Sequence, residues 1–285
     1  MTTTTTHPAA ASPAAGTSPG RAEISDLSFG GVLRGEWIKL LSLRSTWWTL
    51  AMTVAVTGLI SLAVAVTADD VVEQAAAAGL EPHGAELVIS GFQFGMVTIA
   101  VLGALLMTGE FGTGMVRSTF AAVPSRLPVL WAKALALTVV TVAASALSVL
   151  VGTAAAAPWL TDHGLVPALD QSHTWQAFGG MTYFYVAVAL VALGLGAVLR
   201  HTAGTITTVL GLLLLLPGIL QFITVDWVQD LVSLMPLPAA IAFVGTSGLQ
   251  GTNEVLTAWQ GVAVVGAYAV AALVAGAVCL RRRDA

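Results

Sequence analysis

Uncharged apolar runs long enough to cross hydrocarbon occur six times along this chain, separated by shorter polar segments. A helix rising 1.5 Å per residue needs about 20 residues to traverse a bilayer core. The runs are 47–67, 87–108, 134–156, 177–199, 203–224 and 260–280. Between the fifth and sixth lies a shorter apolar stretch from Leu231 to Gly245, interrupted by Pro236 and Pro238. A seventh crossing there would carry Arg281, Arg282 and Arg283 to the opposite side of the membrane. The pattern therefore predicts one or two short helices that dip into the outer leaflet or lie on it.

Two further segments have helical periodicity without the length to span. Ahead of the first run, Phe29, Val32, Leu33, Trp37, Leu40 and Leu41 recur on one face, with Arg34 and Lys39 at its edges. This predicts an amphipathic helix along the inner membrane surface. Glu36 interrupts the stripe, and either an ion pair with Lys39 or contact with a cytoplasmic partner accounts for it. Between the second and third runs, GEFGTGMVRSTFAAVPSRLPVLWAK (Gly109 to Lys133) turns at Gly112 and Gly114. Val116, Phe120 and Val123 then share a face until Pro124. A short helix held beneath the bilayer there offers a docking surface for a soluble partner or rests on lipid.

Charge orients the array. All 11 Lys and Arg residues fall in alternate loops or at the termini: Arg21, Arg34, Lys39 and Arg44; Arg117, Arg126 and Lys133; Arg200; then Arg281, Arg282 and Arg283. The positive-inside rule places both termini in the cytoplasm. Most acidic residues, from Asp69 to Glu254, fall in the opposite set. Trp47, Trp48, Trp131, Trp159, Trp175, Trp227 and Trp259 flank the runs, where amphipathic rings favour the headgroup layer.

Composition agrees: 56% hydrophobic residues, 9% charged and a mean hydropathy of +0.87 exclude an ordinary soluble domain of 285 residues. The thinly spread basic residues form no nucleic-acid surface. The lone Cys279 reads as a small buried apolar residue. Residues 1–27 begin with MTTTTTHPAAASPAAGTSPG, which reads as a disordered cytoplasmic tail, leaving residues 28–285 as one transmembrane domain.

Chemical signatures are sparse. The span cores contain no Asp, Glu, Lys or Arg, which disfavours an ion-driven carrier. Gln93 and Gln221 are their most polar side chains and are candidates either for a substrate path or for helix-to-helix hydrogen bonding. No HExxH, GxSxG or GxxxxGK[ST] pattern occurs. Asp162, His163, Asp170 and His173 share one outer loop; a solvated loop is the simpler reading, and no metal is expected.

Taken together, EWIKLLSLRSTWW (Glu36 to Trp48), GEFGTGMVRSTFAAVPSR followed by Lys133, and SLMPLPAA (Ser233 to Ala240) resemble the membrane-spanning permease subunits of type-2 ATP-binding-cassette exporters, in order and spacing across about residues 30–282. The resemblance implies an all-α fold of six transmembrane helices with an N-terminal interfacial helix, a cytoplasmic coupling helix and a short re-entrant segment before the last span. It puts Phe29, Leu33, Glu36, Trp37 and Leu40 on the interfacial helix. Glu110, Phe111, Thr113, Gly114 and Arg117 fall in the coupling segment facing the ATPase. Two such halves, identical or different, would pair in a bacterial cell membrane with separate ATPase subunits that bind ATP and magnesium. No enzyme activity, catalytic residue, nucleic-acid partner or cofactor is then expected of this chain. A membrane enzyme using the outer-loop Asp and His residues, and a membrane scaffold or sensor, are the competing readings.

Overall fold

The computed structural model describes residues 28–77, 83–122, 126–245 and 256–282; the tail at 1–27 lies outside them. Among the described residues the chain is all α, and six helices are long and apolar enough to cross a membrane. Helix α1 (Phe29–Ser42) begins at Ser28, whose Oγ accepts a hydrogen bond from the Gly31 N–H at 3.2 Å and satisfies a first-turn donor. The first span, α2 (Arg44–Val66), follows the extended residue Leu43. Short α3 (Ala68–Ala77) and α4 (Gly84–Ile89) lead to the second span, α5 (Phe92–Thr113). After α6 (Met115–Ala122) come the third and fourth spans, α7 (Leu127–Asp162) and α8 (Ser172–Leu199). The fifth, Thr202–Leu220, is α9 (Thr202–Leu210), a π-helical turn (Gly211–Leu215) and α10 (Leu216–Leu220). Pro217 lacks the N–H that would bond the Leu213 carbonyl, and the helical ladder widens at that point. Then α11 (Asp226–Ser233), α12 (Pro236–Val244) and the last span, α13 (Ala258–Arg282), complete the chain.

Several boundaries differ from the hydropathy reading. The second apolar run is not one helix, because Gly91 breaks it where its backbone presses on α2 at Thr57. All six residues of α4 are buried between α2, α7 and α8, so this stretch is a plug rather than the first turn of a span. At its other end α5 runs through Thr113, more than a full turn beyond the expected limit at Thr108. The outer segment expected as loop contains α3, whose first turn carries Asp69 and Asp70 against the positive end of the helix dipole.

Spans two, four and six run parallel. Gly103 packs on the Ala189 backbone, and Gly196 meets Met107 and Thr108. Likewise Tyr183 donates to the Val262 carbonyl at 2.9 Å, and Gly194 lies against Ala272 so closely that a Cβ would strike its carbonyl. Small residues permit this approach where no water-driven force exists between helices. Lys and Arg gather at one end of the bundle: Arg126 Nη1 donates to the Leu280 carbonyl at 3.2 Å, and the Arg200 guanidinium lies 5.1 Å from the Phe111 ring centre. That end is the basic end below, and the opposite one, with Asp69, Asp162 and Asp226, the acidic end.

Contacts also fix the course of the bent pair α11 and α12, whose axes meet at 68°. The fifth span starts at the basic end, where Thr202 Oγ1 donates to Thr108 Oγ1 at 2.8 Å, and so finishes at the acidic end. Helix α12 then packs on the middle of that span, passes Gly261 at Ala239 and Gly180 at Phe243, and reaches His173 at Gly245. His173 opens α8 at the acidic end, so the pair leaves and returns at the same end. Pro236 is the first residue of α12, where its missing N–H costs nothing.

Seven tryptophans are exposed in two tiers, Trp47, Trp48 and Trp131 at the basic end and Trp159, Trp175, Trp227 and Trp259 at the acidic end. Exposed Leu59, Leu147, Leu150 and Val270 lie between them, as a lipid-facing surface requires.

Candidate functional site

Four charges meet at the basic end. Glu36 lies in the middle of the buried face of α1, flanked one turn away on either side by Val32 and Leu40. That face packs on α7, with Val32 against Val129 and Ala132. Glu36 therefore does not interrupt an apolar stripe resting on lipid; it is the centre of a helix-to-helix contact. Phe29, expected on the stripe, is exposed, while Leu33 and Trp37 are half-buried.

Facing Glu36 are Lys133, in the second turn of α7, and Glu110, in the last turn of α5. Lys133 Nζ lies 2.6 Å from Glu36 Oε2 and 2.7 Å from Glu110 Oε1, and the lysine is 1% exposed. Lys39 closes the figure, 2.8 Å from Glu36 Oε1, 3.1 Å from Glu110 Oε1 and 3.2 Å from Thr119 Oγ1 of α6. Charges alternate in sign and sum to zero, and the chain's only two lysines are both used here. Partial burial works to lower the Lys39 pKa, but the Glu36 hydrogen bond and the two carboxylates outweigh it and hold the ammonium above its usual range. The expected Glu36 to Lys39 pair is thus present as one edge of a network joining α1, α5, α6 and α7.

The coupling segment was expected to lie at the surface. Glu110 does not: it is buried, 6% exposed, because α5 continues as helix past the hydrophobic run and carries it under α1. Phe111 is half-buried beneath Arg200, whereas Thr113 is exposed and donates to the Gly109 carbonyl at 2.9 Å. Gly114 ends α5 in the left-handed region at φ +74°, which turns the chain into α6. Arg117 sits on α6, its side chain outside the described residues, as are the side chain of Phe120 and all of Val123 and Pro124.

Among the described residues, neither glutamine side chain bonds to another helix. Gln93 is half-buried near the start of α5, and exposed Gln221 donates to the Gly218 carbonyl of its own turn at 3.2 Å. Hydroxyls make the interhelical links instead: Thr53 with Thr98 at 2.6 Å, Thr57 with Tyr185 at 3.2 Å, and Ser145 with Thr182 at 2.8 Å.

At the acidic end the four outer-loop residues separate. His163 Nε2 lies 2.7 Å from Asp69 Oδ1, and its Nδ1 lies 2.8 Å from the Trp159 carbonyl. That carbonyl and then Asp69 raise its pKa above the ordinary histidine value. His173 instead joins His83 and Glu86. Its Nε2 is 3.0 Å from Glu86 Oε1; His83 Nδ1 is 3.7 Å from the same oxygen; and the two rings stack with centroids 4.0 Å apart. Glu86 is buried, and burial pushes its carboxyl up to about 7. The sequence signal was His83 and Glu86 one turn apart at the start of an apolar run, but their third member lies about ninety residues on and nothing local points to it.

No protein-family model and no curated protein matches the chain.

Proposed function

We propose that this chain is the permease subunit of an ATP-driven exporter of the ABC-2 type, forming the membrane path and taking its energy from a separate ATPase subunit. One observation carries the reading: the buried network of Glu36, Lys39, Glu110 and Lys133. A transporter driven by a detachable motor must pass force from a surface element into its spans. Here α6 follows the second span after one left-handed glycine and is held by Thr119 and Lys39 to α1, α5 and α7. A push on α6 is delivered to spans two and three together through ion pairs that resist separation in a low-dielectric setting. Ion-driven transport has less support, because the spans hold no Asp, Glu, Lys or Arg in their middle sections.

In this assignment the basic end is cytoplasmic by the positive-inside rule, the protein sits in the cell membrane, and ATP with magnesium binds the partner. Residues Thr113, Gly114 and Arg117 face that partner, while Glu110 acts from beneath as a positioning residue. Spans one, five and six leave much of their surface uncovered, which provides faces for lipid and for a second permease half. The test is co-expression with candidate ABC ATPase subunits from the same genome, followed by co-purification and ATP hydrolysis in lipid. A stable complex whose hydrolysis rate depends on the permease supports the assignment; an ATPase that neither co-purifies nor responds refutes it.

A further inference from the structure

We propose that His83, Glu86 and His173 form a binding site for a divalent first-row transition metal of the zinc class, at the acidic end of the bundle. The candidate ligand atoms all lie within 4.8 Å of one another. Metal–ligand bonds of about 2.0–2.1 Å in a tetrahedral site put neighbouring ligands roughly 3.4 Å apart. The observed separations of 3.0 Å and 3.7 Å from Glu86 Oε1 bracket that value, and the two stacked rings must turn out of their stack to aim both nitrogens at one ion. Two imidazoles and one carboxylate suit zinc, nickel, copper or cobalt, whereas magnesium and calcium favour oxygen-only sets.

The setting is that of a built site. Glu86 is 6% exposed, and among the described residues no Lys or Arg pairs with it. A buried carboxylate without a fixed cation is costly unless something positive can reach it. Both histidines are half-buried, leaving a route from solvent. Three protein ligands leave the fourth tetrahedral position for water. Gly245 borders the site: at φ +84°, a Cβ there would stand 3.4 Å from His173 Nε2 and 3.9 Å from Glu86 Oε1. Because His83 caps α4 and Glu86 lies in it, α8 supplies His173 and Gly245 caps α12, a bound ion would tie the buried plug to the fourth span beside the returning helix. This site is independent of the exporter assignment.

The experiment uses the full chain in detergent with Cys279→Ser to remove the one thiol, titrated calorimetrically with zinc chloride and separately with magnesium chloride. One zinc per chain is expected, with no magnesium binding at the same concentrations. Since even outer-shell changes weaken metal sites by about 10- to 100-fold, His173→Gln and Glu86→Gln should each lose at least that much affinity, while His163→Gln should lose none. Glu86→Gln keeps the shape of the buried side chain and removes its charge, so it should remain monodisperse even if histidine variants do not. Zinc should raise the midpoint of thermal aggregation of wild type and leave that of Glu86→Gln unchanged. Zinc bound no more tightly than magnesium, or equally well by wild type and Glu86→Gln, overturns the site.

Discussion

Lys133 and Glu110 make a 2.7 Å ion pair across the junction of two spans, although a left-handed glycine and the whole of α6 separate them in sequence. The pair shares Glu110 Oε1 with Lys39, and Lys133 also holds Glu36. Removing one member leaves three charges that no longer sum to zero; breaking a buried pair outright typically costs about 3–5 kcal/mol, and the remaining partner offsets part of that. Lys133→Met and Glu110→Gln should each lower the thermal stability of the detergent-solubilised protein sharply. The double variant should cost less than the two losses added, because the survivors Glu36 and Lys39 can still pair. Fluorescence-detected size exclusion after heating reads this, and strict additivity would show that the two residues do not act as a unit.

Why some of this was legible and some was not follows from particular residues. Span lengths depend on local composition, so all six long helices could be read from apolar runs alone. Their ends could not, because Glu110 and Lys133 look like solvated loop residues until tertiary pairing neutralises them and lets the helices continue. Glu36 misled in the same way: a carboxylate on an apolar face reads as a defect, yet it is the residue α1 buries most purposefully against α7. The plug α4 was hidden for the opposite reason, since GAELVI is apolar enough to be absorbed into the next span and only Gly91 marks the break. Pro236 and Pro238 did signal the bent pair, because proline acts through its own backbone whatever surrounds it.

The same-end return of α11 and α12 predicts accessibility. With Cys279 replaced by serine, single cysteines at Gln229 in α11 and at Thr257 after α12 should react equally with an impermeant thiol reagent in whole cells, as should Ala77 and Ser172. Gly251 lies outside the described residues. Thr113 at the basic end should be protected until the membrane is opened. Labelling of Gln229 and Thr257 from opposite sides would mean that the pair crosses.

His163 should titrate above an ordinary histidine because both ring nitrogens face acceptors, the Trp159 carbonyl and Asp69. Its folded pKa is raised over the unfolded value near 6.5, so the contribution to stability is complete below that pH and disappears as pH rises through the raised value. Asp69→Asn removes the charged partner and should bring the titration down toward the ordinary value. Ring-labelled histidine spectra, with His163→Gln identifying the signal, measure this; an unchanged midpoint in Asp69→Asn would exclude the pair as the cause.

Gly114 gives the sharpest test of how α6 is joined to the second span. It has open space where a Cβ would go, so no clash opposes substitution, but φ +74° disfavours any L side chain by roughly 1–2 kcal/mol. Gly114→Ala should leave the bundle folded and the four-charge network intact, since none of its members moves to accommodate a methyl group. What changes is the angle or population of α6, the element proposed to meet the ATPase. Membrane insertion and thermal stability should then shift little, while co-purification of the ATPase and permease-dependent ATP hydrolysis fall severalfold, within the roughly 1–3 kcal/mol usual for coupling between sites. A variant that loses stability yet keeps full coupling would place Gly114 in the fold alone, and transmission would have to run through another contact.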